Sequence, residues 1–431
     1  MEIKNLSTPA EQALAGDSLF AGSDEKLAIL THVIQSPEIQ PPFIEKEAYA
    51  TLFKTITGSD LASDESLTEA ETPYFFERFG QKNFPFLAPE TPKFRFIDLF
   101  AGIGGFRIAM QSLGGKCVFS SEWDKHAKKT YYNNFGEVPY GDITQIDEKS
   151  IPDHDVLCAG FPCQAFSIAG KRGGFEDTRG TLFFDVARII KERKPKAIFL
   201  ENVKGLMSHK GGKTLETILN TLRNDLGYQV PDPKVLNAKG FGVPQNRERI
   251  FIVGFRPDVK NVDFEYPTPA DTSPTFASVK EESEVSVKYY MSTQYLDTLI
   301  KHKERHQSKG NGFGYQIIQD DDIANAIVVG GMGRERNLVI DHRLTNFTPI
   351  THIKGEVNRQ GIRRMTPREW ARLQGFPDSF KIPVSDASAY KQFGNSVAVP
   401  AILATGKKLI AQISWRATKG NGLNHTWLLN C

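Results

Sequence analysis

Two short clusters carry reactive side chains. Phe161-Pro162-Cys163 follows an apolar, strand-like run from Asp155 to Ala159, and Glu201-Asn202-Val203 closes another over Ala197 to Leu200. A thiol and a carboxyl are the pairing that activates a cytosine ring. Carbon 5 of cytosine is not nucleophilic by itself. Its alkylation needs a nucleophile added at carbon 6 while a proton or hydrogen bond is supplied at ring nitrogen 3. Taken singly, a strand-end cysteine is usually a small buried hydrophobe, and a strand-end glutamate is often solvated or salt-bridged. The pairing becomes informative because further motifs of the same chemistry follow in a consistent order.

Phe96-Ile97-Asp98-Leu99-Phe100-Ala101-Gly102-Ile103-Gly104-Gly105-Phe106 reads as a strand, a glycine-rich turn and a helix start. Such glycines let backbone approach a bound nucleoside, and an acidic residue about 20 positions on can take the ribose hydroxyls. Glu122 stands there; Trp123 beside it can stack on an adenine, and Asp142 can accept from an exocyclic amine. The dinucleotide spacing Gly-x-Gly-x-x-Gly is missing, which argues against a pyrophosphate ligand and favours S-adenosylmethionine. After Cys163, the glycine-rich basic stretch Gln164 to Phe175 has the composition of a loop that closes over a substrate. Gln245-Asn246-Arg247-Glu248-Arg249 precedes another strand, with Arg247 and Arg249 on one face, able to hold Glu201 and a base or phosphate.

These residues need a scaffold. From Phe94 the chain alternates strands (Phe94 to Leu99, Lys116 to Ser121, Asp155 to Ala159, Ala197 to Leu200, Ile250 to Phe255) with helices (Ile108 to Leu113, Lys125 to Phe135, Leu182 to Arg193, Thr214 to Leu226). That order predicts a doubly wound, mostly parallel α/β sheet with ligands at the carboxyl ends of its strands. Between Asn261 and Asp386 the alternation stops, giving a basic, glycine-interrupted region without a clear helical period. A smaller second domain is the natural reading. The apolar helix Ala398 to Ile413 should return to pack on the sheet. Ahead of the core, helix-like stretches at Glu25 to Ile34 and Glu45 to Ile56 precede a polar, linker-like Ser59 to Thr72, and no chemistry is evident in them. The tail after Arg416 reads as frayed.

The 431 residues suffice for two domains and an extension. The net charge of +2 conceals a division: residues 1–93 carry 15 Asp and Glu against 7 Lys and Arg, so the remainder is +10. A basic body suits a polyanionic partner, and the acidic front should not touch it. Four cysteines (Cys117, Cys158, Cys163, Cys431) fit neither a disulfide framework nor a zinc site. A thiol that must stay reduced, with neither a signal peptide nor an apolar stretch of spanning length evident, points to the cytoplasm, without metal or membrane.

Together with Arg364-Met365-Thr366-Pro367-Arg368-Glu369, Leu373-Gln374-Gly375-Phe376-Pro377 and Gln392-Phe393-Gly394-Asn395-Ser396-Val397, these motifs resemble the ordered set of the DNA (cytosine-5)-methyltransferases, from about Phe94 to Ala411. The resemblance implies a Rossmann-like methyltransferase fold over 94–258 and 388–415. It implies a target-recognition domain over 259–387, leaving 1–93 as an extension and 416–431 as a tail. It makes Cys163 the nucleophile, puts Glu201 on ring nitrogen 3 and the exocyclic amine, and has Arg247 and Arg249 support the site. Phe100, Gly102, Gly104, Glu122, Trp123, Asp142, Ile143, Pro162, Asn395 and Ser396 would line an S-adenosyl-L-methionine pocket that releases S-adenosyl-L-homocysteine. The partner implied is double-stranded DNA, with the target base flipped out of the stack. A restriction endonuclease would be a functional counterpart, and a monomer suffices. The variable region, notably Ser292 to Tyr295, Lys301 to His306 and Gly330 to Asn337, resembles the branch that modifies CCGG, although Ala326-Ile327 stands where many relatives have Thr-Leu. Candidate DNA contacts are Ser167, Lys171, Arg172, Arg334 and Arg336. A tRNA cytosine-5 methyltransferase and a non-catalytic DNA-binding regulator stay open as alternatives; the first would not need so long a region after Asn261.

Overall fold

The computed structural model describes Ala28, Ile29, Thr31 and His32 and residues 84–162, 182–308, 310, 314–329, 334–348 and 355–414. The expectations for Glu45 to Ile56, the Ser59 to Thr72 linker, the loop after Pro162 and the tail after Arg416 lie outside these residues. Of the stretch Glu25 to Ile34, the four described residues are helical.

Among the described residues six strands form the main sheet: β1 (Phe94–Leu99), β2 (Gly115–Ser121), β3 (Val156–Ala159), β4 (Ala197–Val203), β5 (Lys234–Asn237) and, after the two-residue β6 (Gln245–Asn246), β7 (Glu248–Phe255). Their order is β2-β1-β3-β4-β7-β5, with β1 to β4 parallel and β7 antiparallel to both its neighbours. The parallel strands read as continuous apolar runs because both faces are covered. Phe94 and Phe96 of β1 enter one core while Ile97 and Leu99 enter the other. The helices α1 (Gly105–Ser112), α2 (Lys125–Phe135), α3 (Leu182–Arg193) and α4 (Lys213–Asn220) follow the alternation.

Several boundaries differ from the sequence reading for physical reasons. β4 runs past Leu200 to Val203 because its ladder with β7 continues, pairing Glu201 with Phe251 and Val203 with Arg249. β5 was not anticipated; an edge strand need not be apolar on both faces. α4 stops at Asn220 and gives way to a π-helical turn, Thr221–Asp225.

The region after Asn261 does contain a long helix, α5 (Thr293–Gln307), N-capped by Ser292. Its periodicity is faint because only Leu296 and Leu299 are buried, while most of the rest is polar or charged. It packs with Met291, Leu338 and Ile362 beside a sheet of β8 (Gln316–Ile318), β10 (Asn337–Ile340) and β11 (Ile362–Arg364). The short β9 (Ala324–Asn325) pairs in parallel with β6, and Ala324 and Ile327 join the core that holds Phe199 and Phe251. Helix α6 (Pro367–Leu373) starts with a Thr366–Glu369 capping box. Glu369 also grips the fully buried Arg363 of β11 through both oxygens, at 2.7 and 2.8 Å, and Arg363 Nε reaches Asp341 Oδ2 at 3.0 Å.

Residues Asp386–Ile413 are long and apolar enough, by length and composition, to cross a membrane. The chain instead breaks there into α7 (Asp386–Asn395) and α8 (Val399–Ser414), with extended backbone at Ser396. α8 packs on α1 and β4 as expected, Gly406 lying against Leu113, Met110 and Phe199. The core also recruits residues ahead of β1: Phe86 lies between Phe135 and Phe380, and Gln111 Nε2 donates to the carbonyls of Phe86 and Leu87.

Candidate active site

The carboxyl ends of β1 to β4 open into a cavity of about 460 Å³, closed on one side by the end of α7. A side pocket of about 200 Å³ shares Phe100, Glu122, Trp123 and Pro162 with it and adds Asp142, Ile143 and Leu182. This is the place a doubly wound sheet reserves for ligands.

The glycine turn is tightly wound. Phe100, Gly102 and Gly104 all have positive φ, and Gly104 N-caps α1 at φ 86°. A Cβ on Gly104 would lie 2.3 Å from the Phe135 ring, so this glycine serves close packing on α2. Gly104 is not among the residues lining the cavity; Gly102 and Gly105 are. Glu122, at the end of β2, accepts from the Gly102 N–H at 2.8 Å through one oxygen and from Trp123 and Asp124 N–H through the other. Burial raises its pKa, and those amide donors pull it back. Its carboxylate is thus pre-oriented with acceptor capacity to spare for a diol. Trp123 is 78% exposed, a free aromatic face at the cavity mouth. Asp142 caps a short 3₁₀ turn through Oδ1, which fixes the wall formed by Asp142 and Ile143. A pre-set carboxylate, an open indole face and a close-approach glycine turn together fit an adenosyl group.

The second half of the cavity holds Glu201, Arg247 and Arg249. Glu201 is 8% exposed and meets Arg249 Nε at 3.1 Å. Burial, the largest influence, raises its pKa, and Arg249 and then Arg247 draw it down. Such a carboxyl is poised to hold or share a proton. Arg247 does not bond Glu201. Its guanidinium donates to the carbonyls of Ile327 (2.9 Å), Gly394 (3.1 Å) and Ser396 (2.6 Å), stitching the 327–329 segment to the end of α7. The expectation that both arginines hold Glu201 is thus met by Arg249 alone. Burial and the charge of Arg249 bring the Arg247 pKa down to about 9.

Of the remaining candidates, Pro162, Asn395 and Ser396 line the cavity. Cys163, Ser167, Lys171 and Arg172 lie outside the described residues. Arg334 and Arg336 are exposed; the Arg334 guanidinium lies 5.6 Å from the ring centroid of Tyr390 on α7. The sequence reading assigned no role to Asn202, which donates to the Phe161 carbonyl at 2.9 Å and so fixes the backbone just before Pro162. It also passed over the ion pair of Lys391 with Asp124, 2.6 Å long, at the cavity mouth. Asn202 was visible within its motif; a pair of residues so far apart in the chain leaves no local signal. Among the described residues no three His, Cys, Asp or Glu side chains converge as a metal site.

Comparison with known proteins agrees with this geometry. The family model for C-5 cytosine-specific DNA methylases matches residues 94–411. The type II methyltransferase M.HpaII of Haemophilus parainfluenzae is 70% identical over 357 residues, covering 82% of this chain and 98% of that one. M1.ScrFI of Lactococcus lactis subsp. cremoris is 50% identical over 335 residues, 76% of this chain and 82% of its own. The fold matches that of DNMT2 from Spodoptera frugiperda, with a TM-score of 0.56 at 21% identity over 73% of this chain and 99% of that one. The chain therefore belongs to the C-5 cytosine-specific DNA methylases and is a DNA (cytosine-5-)-methyltransferase.

Proposed function

We propose that this enzyme methylates the inner cytosine of CCGG in duplex DNA, using S-adenosyl-L-methionine, as the cytoplasmic modification counterpart of a restriction endonuclease. The observation that carries the chemistry is Glu201: a buried, pKa-raised carboxyl, tethered by Arg249, in the same cavity as Glu122 and the glycine turn. The target sequence is supported by the likeness of 292–337 to the CCGG-modifying branch and by the extent of identity to M.HpaII.

In this reading the flipped cytosine enters beside Glu201, because carbons 5 and 6 cannot be attacked while stacked. Cys163, as thiolate, forms a bond to carbon 6, and the ring's electron pair moves toward carbon 5 and nitrogen 3. Glu201 donates to nitrogen 3 and accepts from the exocyclic amine, stabilising the charge that builds there. S-adenosyl-L-methionine, when bound, supplies an electrophilic methyl group for carbon 5. Loss of the carbon 5 proton then restores the double bond and expels the thiolate. Glu122 would hold the ribose hydroxyls, Trp123 the adenine face, and Asp142 with Ile143 its edge. Phe100, Gly102, Pro162, Asn395 and Ser396 complete the pocket.

Residues 259–387 would read the DNA, Arg334 and Arg336 reaching base edges while Lys301, Lys303 and Arg305 contact phosphate. A palindromic site lets a monomer methylate each strand in a separate encounter. Bisulfite sequencing of a plasmid from expressing cells tests the proposal. Protection is expected at the inner cytosine of CCGG; protection at another site, or spread over unrelated sequences, would overturn it.

A further inference from the structure

The family motifs begin at Phe94, and the acidic front has no part in them. Besides Phe86, four residues from much earlier in that front, Ala28, Ile29, Thr31 and His32, are packed into the body. Ala28 and Ile29 are buried in the core cluster that holds Ile143 and Ile146. Thr31 Oγ1 accepts from the Val138 N–H at 2.9 Å. His32 stands on the Tyr140 ring at a centroid distance of 4.3 Å, with Nε2 3.0 Å from Glu137 Oε1.

The points touched lead to both walls of the adenosyl pocket. Tyr140 is held against β2, its N–H donating to Ser120 and its carbonyl accepting from Glu122, and its other face stacks on Phe119 at 5.0 Å. The next three residues, Gly141, Asp142 and Ile143, line the side pocket. Glu137 leads the other way: the same oxygen that His32 approaches also accepts from Ser120 Oγ and Arg107 Nη1, each at 2.9 Å. Arg107 is in the first turn of α1, directly after the glycine turn. Burial would raise the Glu137 pKa, but Arg107 and then His32 hold it well below the usual carboxylate range, and all three side chains are buried.

We infer that Ala28, Ile29, Thr31 and His32 brace the cofactor pocket, and that Thr31 and His32 are positioning residues that set cofactor affinity through Val138 to Ile143 and through Glu137 and Arg107. The inference rests on the reading of this cavity as an S-adenosyl-L-methionine site. Removing the brace does not remove a ligand contact; it frees the wall to sample arrangements that bind less well. The effect should therefore fall on binding and not on the chemical step.

The test is calorimetric titration of S-adenosyl-L-methionine into the full-length protein. Thr31→Ala and His32→Ala should each weaken binding by roughly three- to tenfold, the scale of one lost hydrogen bond or ion pair. KM for the methyl donor should rise in parallel with kcat little changed, and Thr31→Ser should restore affinity. Reciprocity adds a test on the unaltered protein: the methyl donor should slow hydrogen exchange in peptides covering residues 28–32 and at Val138. A wild type that does not bind S-adenosyl-L-methionine would sink the underlying reading. A wild type that binds it, with unchanged affinity in the variants or with no slowing of exchange at residues 28–32, would overturn the brace alone.

Discussion

Replacing Glu201 by glutamine separates the chemistry of the cavity from its architecture. The amide keeps the shape of the carboxyl and an oxygen for Arg249, whose side chain is 17% exposed, so the pocket should stay assembled. Its NH2 can donate a hydrogen bond to ring nitrogen 3 but cannot transfer a proton to it. A positioned acid is worth about 10²- to 10⁴-fold in rate, or roughly 2.7 to 5.4 kcal/mol of barrier. Single-turnover transfer of tritiated methyl to a CCGG duplex should fall by that factor, with DNA affinity changed less than about tenfold. The sign of the pKa shift supplies a control. A carboxyl raised above its unfolded value stabilises the fold only in its protonated form, and that contribution is lost as pH rises from the ordinary carboxylate range through the folded pKa. Glu201→Gln never ionises, so its melting temperature relative to wild type should hold or improve as pH is raised from 5 to 8. A variant that stays folded and retains methyl transfer within about tenfold of wild type would refute Glu201 as the acid.

Three further outcomes follow from the same geometry. Trp123→Ala should weaken S-adenosyl-L-methionine by about 1 to 3 kcal/mol, the range for aromatic stacking on a base; calorimetry showing unchanged affinity would remove the indole from the pocket. If Arg334 or Arg336 reads guanine, its alanine variant should lose about 1 to 3 kcal/mol of discrimination at one base pair, whereas a phosphate contact would weaken all duplexes alike; competition binding with single-substituted CCGG duplexes distinguishes them. Glu369→Ala leaves the fully buried Arg363 without its bidentate partner and should cost about 3 to 5 kcal/mol in denaturant unfolding.

The sequence made the catalytic body legible where one physical pattern dominated. The spans Phe94–Leu99, Lys125–Phe135 and Leu182–Arg193 are those read from apolar runs and turn signals, because a strand covered on both faces leaves a continuous apolar run and an amphipathic helix leaves a clear period. Glu122 and Trp123 were singled out from the distance of Glu122 to a glycine turn, and both line the cavity at the end of β2. Legibility failed where position depends on distant partners. α5 buries too few residues to show its period. Arg247 was read as a companion of Glu201 from strand alternation, yet its acceptors are carbonyls at Ile327, Gly394 and Ser396, which no local pattern connects to it. The docking of Thr31 and His32 on Val138 and Glu137 spans more than a hundred residues of chain and was invisible for the same reason.

The most direct measurement uses a CCGG duplex carrying 5-fluorocytosine at the inner position, incubated with S-adenosyl-L-methionine and resolved on a denaturing gel. Fluorine at carbon 5 blocks the final elimination, so a nucleophile bonded to carbon 6 stays attached to the DNA. The wild type should form a covalent complex with this duplex and not with one fluorinated at the outer cytosine, and Cys163→Ser should form neither. Capture that persists in Cys163→Ser, or that occurs equally at the outer cytosine, would contradict the account.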